Sequence, residues 1–304
     1  MYFTSLPDHT KPGFDEALHF SNFQKHNIIF NALSSRSHCD NHVGCLSFKT
    51  VLNGEEWYGI DKHRVAVRPG KFLILNNDQN YSCSIDHDEK VRVLSFFFQK
   101  EFAAAVFRDV LHSEETSLDT PFAPGEKPPE FFQTLYDITP ELQLQLSSLI
   151  SSLESSGYSN AMVDEHIVFL LHYLVRTHRS ETTRIQSVNA LKSSTKTEIY
   201  KRLCIARDVL HSSYMDQPDL QALSNLACLS VPQLVRQFKT VFQTTPHQYL
   251  IRIRLEHAAE LLKQTQKPVH EITWMCGFEN TSAFCRAFRA VYGVQPVTFR
   301  KLNR

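Results

Sequence analysis

The sequence predicts a multidomain protein. We expect a mainly β N-terminal domain with a helical segment, then an all-α domain with two helix-turn-helix units joined by a linker helix. Three observations predict this fold. Short apolar segments recur between turn signals from residue 26 to residue 99. Long helical patterns and a polar stretch follow. In the last third of the chain, one pattern of apolar and basic residues occurs twice, fifty residues apart.

Residues 26–99 are expected to form an antiparallel sandwich or a small barrel. Asn53-Gly54 and Pro69-Gly70 are typical turn dipeptides between strands. Residues 1–25 show little periodicity, so we expect a loose arm. The predicted strand segments are residues 27–30, 43–52, 55–60, 65–67, 72–75, 81–85 and 91–98.

The next segments have helical periodicity. Helices are predicted at residues 102–111, 131–136, 140–153 and 162–178, with a proline-rich break at 119–129. The last two helices are strongly apolar on one side. Residues 180–196 are polar and rich in Ser and Thr, which predicts an interdomain linker. The predicted domains are therefore 1–179 and 197–304, on either side of a linker at 180–196.

The pattern in each copy of the repeat predicts the second helix of a helix-turn-helix. Arg236 and Arg286 follow the first apolar residue of each copy by two positions, which turns them away from the apolar face. A shorter apolar segment and a turn precede each copy, and a proline follows it. The predicted recognition helices are residues 231–242 and 281–292. Ser230 and the pair Glu279-Asn280 are the predicted helix caps. The matched apolar residues are Leu234, Phe238, Val241 and Phe242 in one copy, and Phe284, Phe288, Val291 and Tyr292 in the other.

A continuous helical pattern from Pro246 to Lys263 joins the two units. A helix of this length spans about 27 Å. Two recognition helices on either side of it are expected to lie about one duplex turn apart, roughly 34 Å, on one face of DNA. One chain would then supply both halves of a bipartite DNA contact.

Charge is unevenly divided along the chain. Residues 196–304 carry a net charge of +7 and the preceding residues carry −7. A basic excess on its own usually marks a solvated surface, but it coincides here with the duplicated helix-turn-helix. We therefore expect double-stranded DNA as a partner.

Residues 196–304 resemble the DNA-binding domain of the AraC/XylS family of bacterial transcription regulators. That resemblance implies a sequence-specific regulator, an activator in our interpretation, that works with RNA polymerase. The family usually has Gly at the positions of Cys228 and Gln243. A left-handed Gln243 would cost about 1 kcal/mol. The matching residues are Ser230, Leu234, Arg236, Phe238, Lys239, Pro246, Tyr249, Arg252, Arg254, Leu255, Ala258, Leu261, Leu262, Gly277, Phe278, Phe284, Arg286, Phe288, Arg289, Gly293, Pro296, Phe299 and Arg300.

Arg236 and Arg286 are the strongest candidates for base reading, because arginine binds guanine O6 and N7 in the major groove. The alternative is that one or both bind only phosphate. Motif position in the family also implies groove-facing Pro232 and Val235, and four further base contacts: Gln233, Thr281, Ser282 and Cys285. Expected phosphate contacts are Ser230, Lys239, Thr245, Arg252, Arg254, Arg289, Gln295 and Arg300.

Residues 68–75 resemble the cupin-like regulatory domain of the same family, more weakly. This implies a barrel that holds a small-molecule effector, and helices within 100–179 that pair two subunits into a homodimer. The alternative for those helices is that they only cap the barrel. Trp57, Tyr58 and His63 are candidate effector contacts, although aromatic residues in strands are usually part of the core.

Residues His38 to Cys45 include His, Cys and Asp side chains that can bind metal. They lack the His-x-His and downstream Glu of metal cupins, so we expect a loop without metal. Cys39, Cys45 and Cys83 would sense oxidants only if a neighbour lowered a thiol pKa, and oxidised Cys285 would alter a recognition helix.

We expect no cofactor and no enzymatic activity, because no catalytic arrangement rises above background. With no signal sequence, no membrane-length apolar run and an odd number of cysteines, a cytoplasmic location is expected. Two alternatives remain open. One is a regulator without an effector, controlled by oligomerisation or a protein partner. The other is a metal-binding or catalytic cupin with a DNA-binding tail.

Overall fold

A computed structural model describes residues 1–7, 15–61, 63–111, 129–216 and 218–303. The chain divides into two compact units, Met1–Thr183 and Arg184–Arg304. Among the described residues, no helix is both long enough and apolar enough to cross a bilayer.

The first unit contains an eight-stranded, mostly antiparallel sheet that curls into a nearly closed barrel. Its strand order is β1-β2-β7-β3-β6-β8, and β4 pairs with both β5 and β7. The predicted mainly β fold is thereby confirmed. The strands are β1 (Tyr2–Phe3), β2 (Ile28–Gly44), β3 (Ser47–Asn53), β4 (Glu56–Ile60), β5 (His63–Val67), β6 (Lys71–Leu75), β7 (Gln79–Phe97) and β8 (Leu135–Asp137).

The two longest strands, β2 and β7, pair along their whole length, from Ile28 opposite Phe97 to Gly44 opposite Gln79. The prediction of two separate segments within β7 and of a loop at residues 38–45 is wrong. The register shifts between Ser34 and Arg36 and again between Cys39 and His42. Such bulges interrupt the alternation of apolar and polar residues, so the pattern of a single strand is lost.

Among the described residues, four helices accompany this sheet: α1 (Glu16–Lys25), α2 (Lys100–Leu111), α3 (Pro140–Ser156) and α4 (Asn160–Gln186), whose last three residues belong to the second unit. The apolar sides of α3 and α4 are buried in one core with Phe48, Phe72 and Phe96 of the barrel. This packing favours the capping alternative for these helices, and a dimer contact through them stays a prediction. The helix residues in the core include Leu142, Leu146, Leu149, Leu153, Val163, Ile167, Leu170, Leu171 and Leu174.

Two segments differ from their predictions. The expected arm at residues 1–25 contains β1, which pairs in parallel with β2, and α1. The expected helix at 131–136 is wrong, because Leu135 and Tyr136 belong to β8, which pairs with β6. The side chain of Asn76 exchanges two hydrogen bonds with the backbone of Phe131, at 2.8 and 2.9 Å. This contact with a distant residue fixes an extended backbone. Most of the predicted proline-rich break, residues 119–128, lies outside the described residues.

Helix α4 continues to Gln186, into the stretch predicted as a linker. The hydroxyl groups of Thr182 and Thr183 donate to the carbonyls of His178 and Arg179, four residues earlier. Threonines that satisfy their hydroxyls on the preceding turn are compatible with a helix, which composition alone does not indicate. The role of residues 180–196 as an interdomain linker stays a prediction.

The described part of the second unit is entirely α-helical, as predicted. Its helices are α5 (Ser193–Ser212), α6 (Leu220–Leu226), α7 (Val231–Phe242), α8 (Pro246–Gln264), α9 (Val269–Met275), α10 (Thr281–Tyr292) and α11 (Pro296–Leu302). Helices α6 and α7 form the first helix-turn-helix, α9 and α10 form the second, and α8 joins them.

Candidate nucleic-acid interface

Both helix-turn-helix units turn through a residue with positive φ. In the first unit this residue is Cys228 (φ 49°), and in the second it is Gly277 (φ 74°). A Cβ atom on Gly277 would lie 2.7 Å from the carbonyl oxygen of Met215 and 3.0 Å from the guanidinium of Arg254. The second turn therefore requires glycine, whereas the first turn carries a strained, exposed cysteine.

The recognition helices α7 and α10 present nearly the same surface. When residues 231–240 are matched with 281–290, nine of the ten positions fall in the same exposure class. The anchors Leu234, Phe238, Phe284 and Phe288 are all fully buried. The outward faces of the two helices are therefore built alike, as the repeat predicts.

Arg236 and Arg286 lie on these outward faces and are exposed. Within the described residues, neither guanidinium takes part in a hydrogen bond or an ion pair. Lys239 and Arg289 are exposed one turn further along each helix, at matched positions. Each recognition helix thus offers two uncommitted cations to a ligand.

Other predicted base contacts lie at the first turns of the same helices. Ser282 is exposed, while Gln233, Thr281 and Cys285 are half-buried. At the start of α10, the side chain of Asn280 accepts a hydrogen bond from the backbone N–H of Ala283 at 2.7 Å, so it is the predicted cap.

The two recognition helices end in the same left-handed conformation. The C-cap of α7 is Gln243 (φ 57°, ψ 20°), and the C-cap of α10 is Gly293 (φ 76°, ψ −16°). Gln243 Nε2 donates to the carbonyl of Thr240 at 2.7 Å. The backbone shape is therefore kept without glycine, with a side-chain hydrogen bond at the helix end.

Arg254 corrects one prediction. Its side chain is buried, and it donates to the carbonyls of Tyr214 and Asp216 at 2.7 and 2.8 Å. These bonds tie α8 to the loop before α6. A guanidinium committed to buried carbonyls is a structural tie, so Arg254 is not the phosphate contact expected from its motif position.

Several other predicted phosphate contacts also have structural partners. Thr245 forms a capping box with Gln248 at the start of α8. Arg300 donates to the carbonyl of Lys267 at 2.5 Å. Arg252 lies 3.6 Å from Glu256 on the surface of α8. Ser230 and Gln295 are exposed N-cap residues whose side chains make no capping hydrogen bond in the described structure.

Gln237 is a functional candidate that the sequence pattern did not reveal. It is buried, whereas its counterpart Ala287 is only half-buried. Its amide exchanges two hydrogen bonds with the backbone of Asn189, at 3.2 and 3.0 Å. The first recognition helix is therefore attached to the segment before α5. The sequence signal for this contact was that the first copy of the repeat has Gln237 where the second copy has Ala287.

The first unit contains a cavity inside the barrel. Tyr58 is one of its lining residues, while Trp57 and His63 are not. Trp57 Nε1 donates to Glu55 at 2.9 Å, and His63 lines a separate hollow near Asp61. Because neighbouring strand residues point to opposite faces, Trp57 and Tyr58 cannot line the same side. Of the three candidate effector residues, the structure brings only Tyr58 to this cavity.

Two charged residues that were not predicted as site residues, Lys49 and Glu56, also line the cavity and are buried. Burial lowers the pKa of Lys49 to about 8, partly opposed by the attraction of Glu56. Burial raises the pKa of Glu56, while a hydrogen bond from the Tyr58 hydroxyl at 2.7 Å opposes that rise. The sequence signal for these two residues was that each lies beside an apolar residue in a predicted strand.

The oxidant-sensing and metal hypotheses find little support. Burial raises the pKa of Cys45 to about 11 and also raises the pKa of Cys285. A hydrogen bond with Cys39 and burial raise the pKa of Cys83. A raised pKa lowers the fraction of reactive thiolate. Among the described residues, no group of three metal-binding side chains is close enough to hold an ion.

Comparison with known proteins finds similarity both over the second unit and over most of the chain. A family model described as a helix-turn-helix domain matches residues 223–302. The probable transcriptional regulator LumQ of Photobacterium leiognathi is 29% identical over 164 residues, which are 50% of this chain and 66% of LumQ, slightly under two thirds. An HTH-type transcriptional regulator of Haemophilus influenzae is 22% identical over 278 residues, which are 87% of this chain and 89% of that protein. A structure of ToxT from Vibrio cholerae O395 covers 92% of this chain and 99% of ToxT, with 12% identity and a TM-score of 0.37.

The matched range begins within α6 and includes the rest of both helix-turn-helix units, with α8 between them. LumQ is a probable transcriptional regulator, and the Haemophilus influenzae protein is an HTH-type transcriptional regulator. This chain is similar to DNA-binding transcriptional regulators of the AraC/XylS family, with its helix-turn-helix domain at the C-terminal end.

Proposed function

We propose that this protein regulates transcription by reading one face of a promoter duplex with two recognition helices, α7 and α10. One observation carries the proposal. Arg236 and Arg286 are exposed at matched positions of two equivalent helices, with guanidiniums that have no partner within the described residues. An uncommitted guanidinium on a recognition helix suits bidentate binding to guanine.

The contacts divide into two classes. Gln233, Thr281, Ser282 and Cys285 would supplement the two arginines at base edges. Lys239 and Arg289 would bind phosphate, together with Ser230 and Gln295 at the starts of α7 and α11. Arg254 is excluded from the second class by its burial, and Thr245, Arg252 and Arg300 would have to share their existing partners.

We further propose that the first unit controls DNA binding through a small-molecule effector held in the barrel cavity. The cavity is lined by aromatic rings and by several polar groups, and polar groups in such a site fix the orientation of a ligand. Homodimer formation and contact with RNA polymerase are part of this proposal and await direct measurement.

Selection of duplexes from a random library by the full-length protein tests the DNA-binding part. The affinity for the selected duplex is then compared with that for a scrambled duplex. The double variant Arg236→Ala/Arg286→Ala should bind the selected duplex more weakly, by roughly 1–3 kcal/mol per arginine, and lose its preference for it.

The control is Arg108→Ala, which removes an exposed arginine of α2 in the other unit. It should bind both duplexes as the wild type does. Base reading by these arginines is refuted if the double variant still prefers the selected duplex as strongly as the wild type.

A further inference from the structure

Lys49 is a buried cation without an anionic partner. It lies in the middle of β3, at 3% exposure, among residues that are all buried. Within the described residues, its ammonium group makes no hydrogen bond and has no carboxylate within 4 Å. Its close neighbours are aromatic: the Phe97 ring centroid is 3.3 Å away and the Tyr81 centroid is 5.9 Å away. A cation–π contact offsets only part of the cost of burying an ammonium group.

Among the described residues that line the cavity, the one carboxylate is already engaged. Glu56 accepts the hydrogen bond of the Tyr58 hydroxyl at 2.7 Å, and it is not in ion-pair contact with Lys49. Replacing Lys49 by an apolar residue of similar size would remove the burial cost of the ammonium. Its position at the wall of a cavity points to an occupant that completes the ion pair.

A second donor lies beside Lys49. Ser95 on β7 is directly opposite Lys49 in the register of β3 and β7, so both side chains point to the same side of the sheet. Ser95 also lines the cavity, and its hydroxyl has no hydrogen-bond partner in the described part of the chain. An ammonium and a hydroxyl side by side can each donate to one carboxylate.

The remaining wall of the cavity combines an apolar surface with polar side chains, among them Ser37, His19 and His42. Phe23, Phe30 and Phe97 pack together, with ring centroids 4.6 Å apart for Phe23 and Phe97. Leu6 extends this apolar surface. A single ammonium balances a single negative charge, and Glu56 would repel a second. A cation would be repelled by Lys49.

We propose that the barrel cavity binds a small organic monocarboxylate, with its carboxylate on Lys49 and Ser95 and its apolar body against the phenylalanine rings. This inference rests on the proposed effector control and names the chemical class of the effector. The N-terminal helix α1 supplies Phe23 to the same wall, so an occupant would contact α1 as well as the barrel.

Calorimetric titration of the full-length protein tests the proposal. The probes are acetate, butyrate, hexanoate and phenylacetate, each paired with its primary amide of nearly equal shape. At least one carboxylate should bind at one site per chain and at least about tenfold more tightly than its amide. A charge-assisted hydrogen bond supplies roughly that factor. Hexylamine should not bind in the cavity.

Three variants locate the site. Lys49→Met should remove the preference for the carboxylate over its amide, and Ser95→Ala should reduce it. Lys90→Met, which removes an exposed lysine of β7, should leave it unchanged. Amide binding by Lys49→Met, or a melting temperature no lower than that of the wild type, shows that the variant is folded.

The proposal is overturned if no probe binds at millimolar concentration, if each amide binds as tightly as its acid, or if Lys49→Met keeps the preference. Measuring DNA binding in the absence of ligand distinguishes failure of the carboxylate proposal from failure of the proposed DNA-reading function. Lys49→Met should bind the selected duplex as the wild type does in the absence of carboxylate. Loss of carboxylate binding would then leave the DNA-reading proposal intact.

Discussion

Gln243 and Gly293 hold the same left-handed position at the ends of the two recognition helices, with φ values of 57° and 76°. An L-residue pays a steric cost there that glycine avoids. We predict that Gln243→Gly stabilises the second unit by about 1 kcal/mol, less a few tenths for the lost hydrogen bond to Thr240. Chemical unfolding followed by the fluorescence of Trp274, in a Trp57→Phe background, measures this difference.

The reverse change provides the matched control. Gly293→Gln should destabilise the same unit by a similar amount, because nothing within 4 Å of Gly293 would clash with a side chain. Equal stability of Gln243→Gly and the wild type would show that the side-chain bond from Gln243 fully offsets the strain.

Lys49 makes the stability of the first unit depend on pH. Its pKa is about 8 in the folded protein, whereas the ordinary lysine pKa of 10.5 applies to the unfolded chain. Below pH 8 both states are protonated, and the cost of the buried charge is fully present. Between pH 8 and pH 10.5 the unfolded chain binds more protons, so stability rises with pH. We predict that Lys49→Met exceeds the wild type in stability at about pH 7, by a margin that shrinks by about pH 9.5.

Urea unfolding followed by Trp57 fluorescence, in a Trp274→Phe background, measures this margin. A margin that stays constant or grows with pH would contradict the lowered pKa. The titratable groups that surround Lys49 are present in both proteins, so the difference in stability reports the lysine together with its coupling to these groups. They are Glu56 on β4, Cys39 on β2, Cys45 after β2, and Tyr81 and Cys83 on β7.

At the scale of elements, basic residues on the neighbouring helices α7 and α8 have different roles. Arg254 ties α8 to the loop before α6 through two carbonyls, whereas Lys239 on α7 is exposed. We predict that Arg254→Met lowers the melting temperature but leaves the salt dependence of DNA binding unchanged. Lys239→Met should instead reduce the slope of log K against log salt by about 0.9, the loss of one phosphate contact.

Affinities of both variants for the selected duplex across a salt series check this assignment. A reduced slope for Arg254→Met, with an unchanged melting temperature, would restore Arg254 as a phosphate contact.

The two helix-turn-helix units could be predicted because each of their elements has a complete local signal. Buried anchors such as Leu234 and Phe284 recur at helical spacing, and capping residues or prolines mark the ends. The role of Arg254 could not be predicted in the same way. An arginine on a helix can be exposed to solvent or can donate to a buried carbonyl. For Arg254 the choice depends on a loop about forty residues away in sequence, and neither helical spacing nor charge shows that this loop lies beside it.

At the scale of the whole chain, the barrel was predictable in class but not in detail. Turn dipeptides and apolar runs indicate strands. Bulges in β2 interrupt the alternation that would indicate one long strand, and residues 135–137 form β8 by pairing with β6. The charged lining of the cavity could not be predicted from the sequence for a related reason. Lys49 and Glu56 look like ordinary surface charges in sequence, and only closure of the barrel places both inside.

The central claim is that both recognition helices of one chain read bases on the same duplex. The most direct test is a methylation-interference experiment at guanine N7 on the selected duplex, with the wild type, Arg236→Ala and Arg286→Ala. We predict two clusters of interfering guanines about one helical turn apart, roughly 10 base pairs. Arg236→Ala should abolish interference at one cluster only, and Arg286→Ala at the other only. If both variants lose the same cluster, or if neither changes the pattern, the two-helix account is wrong.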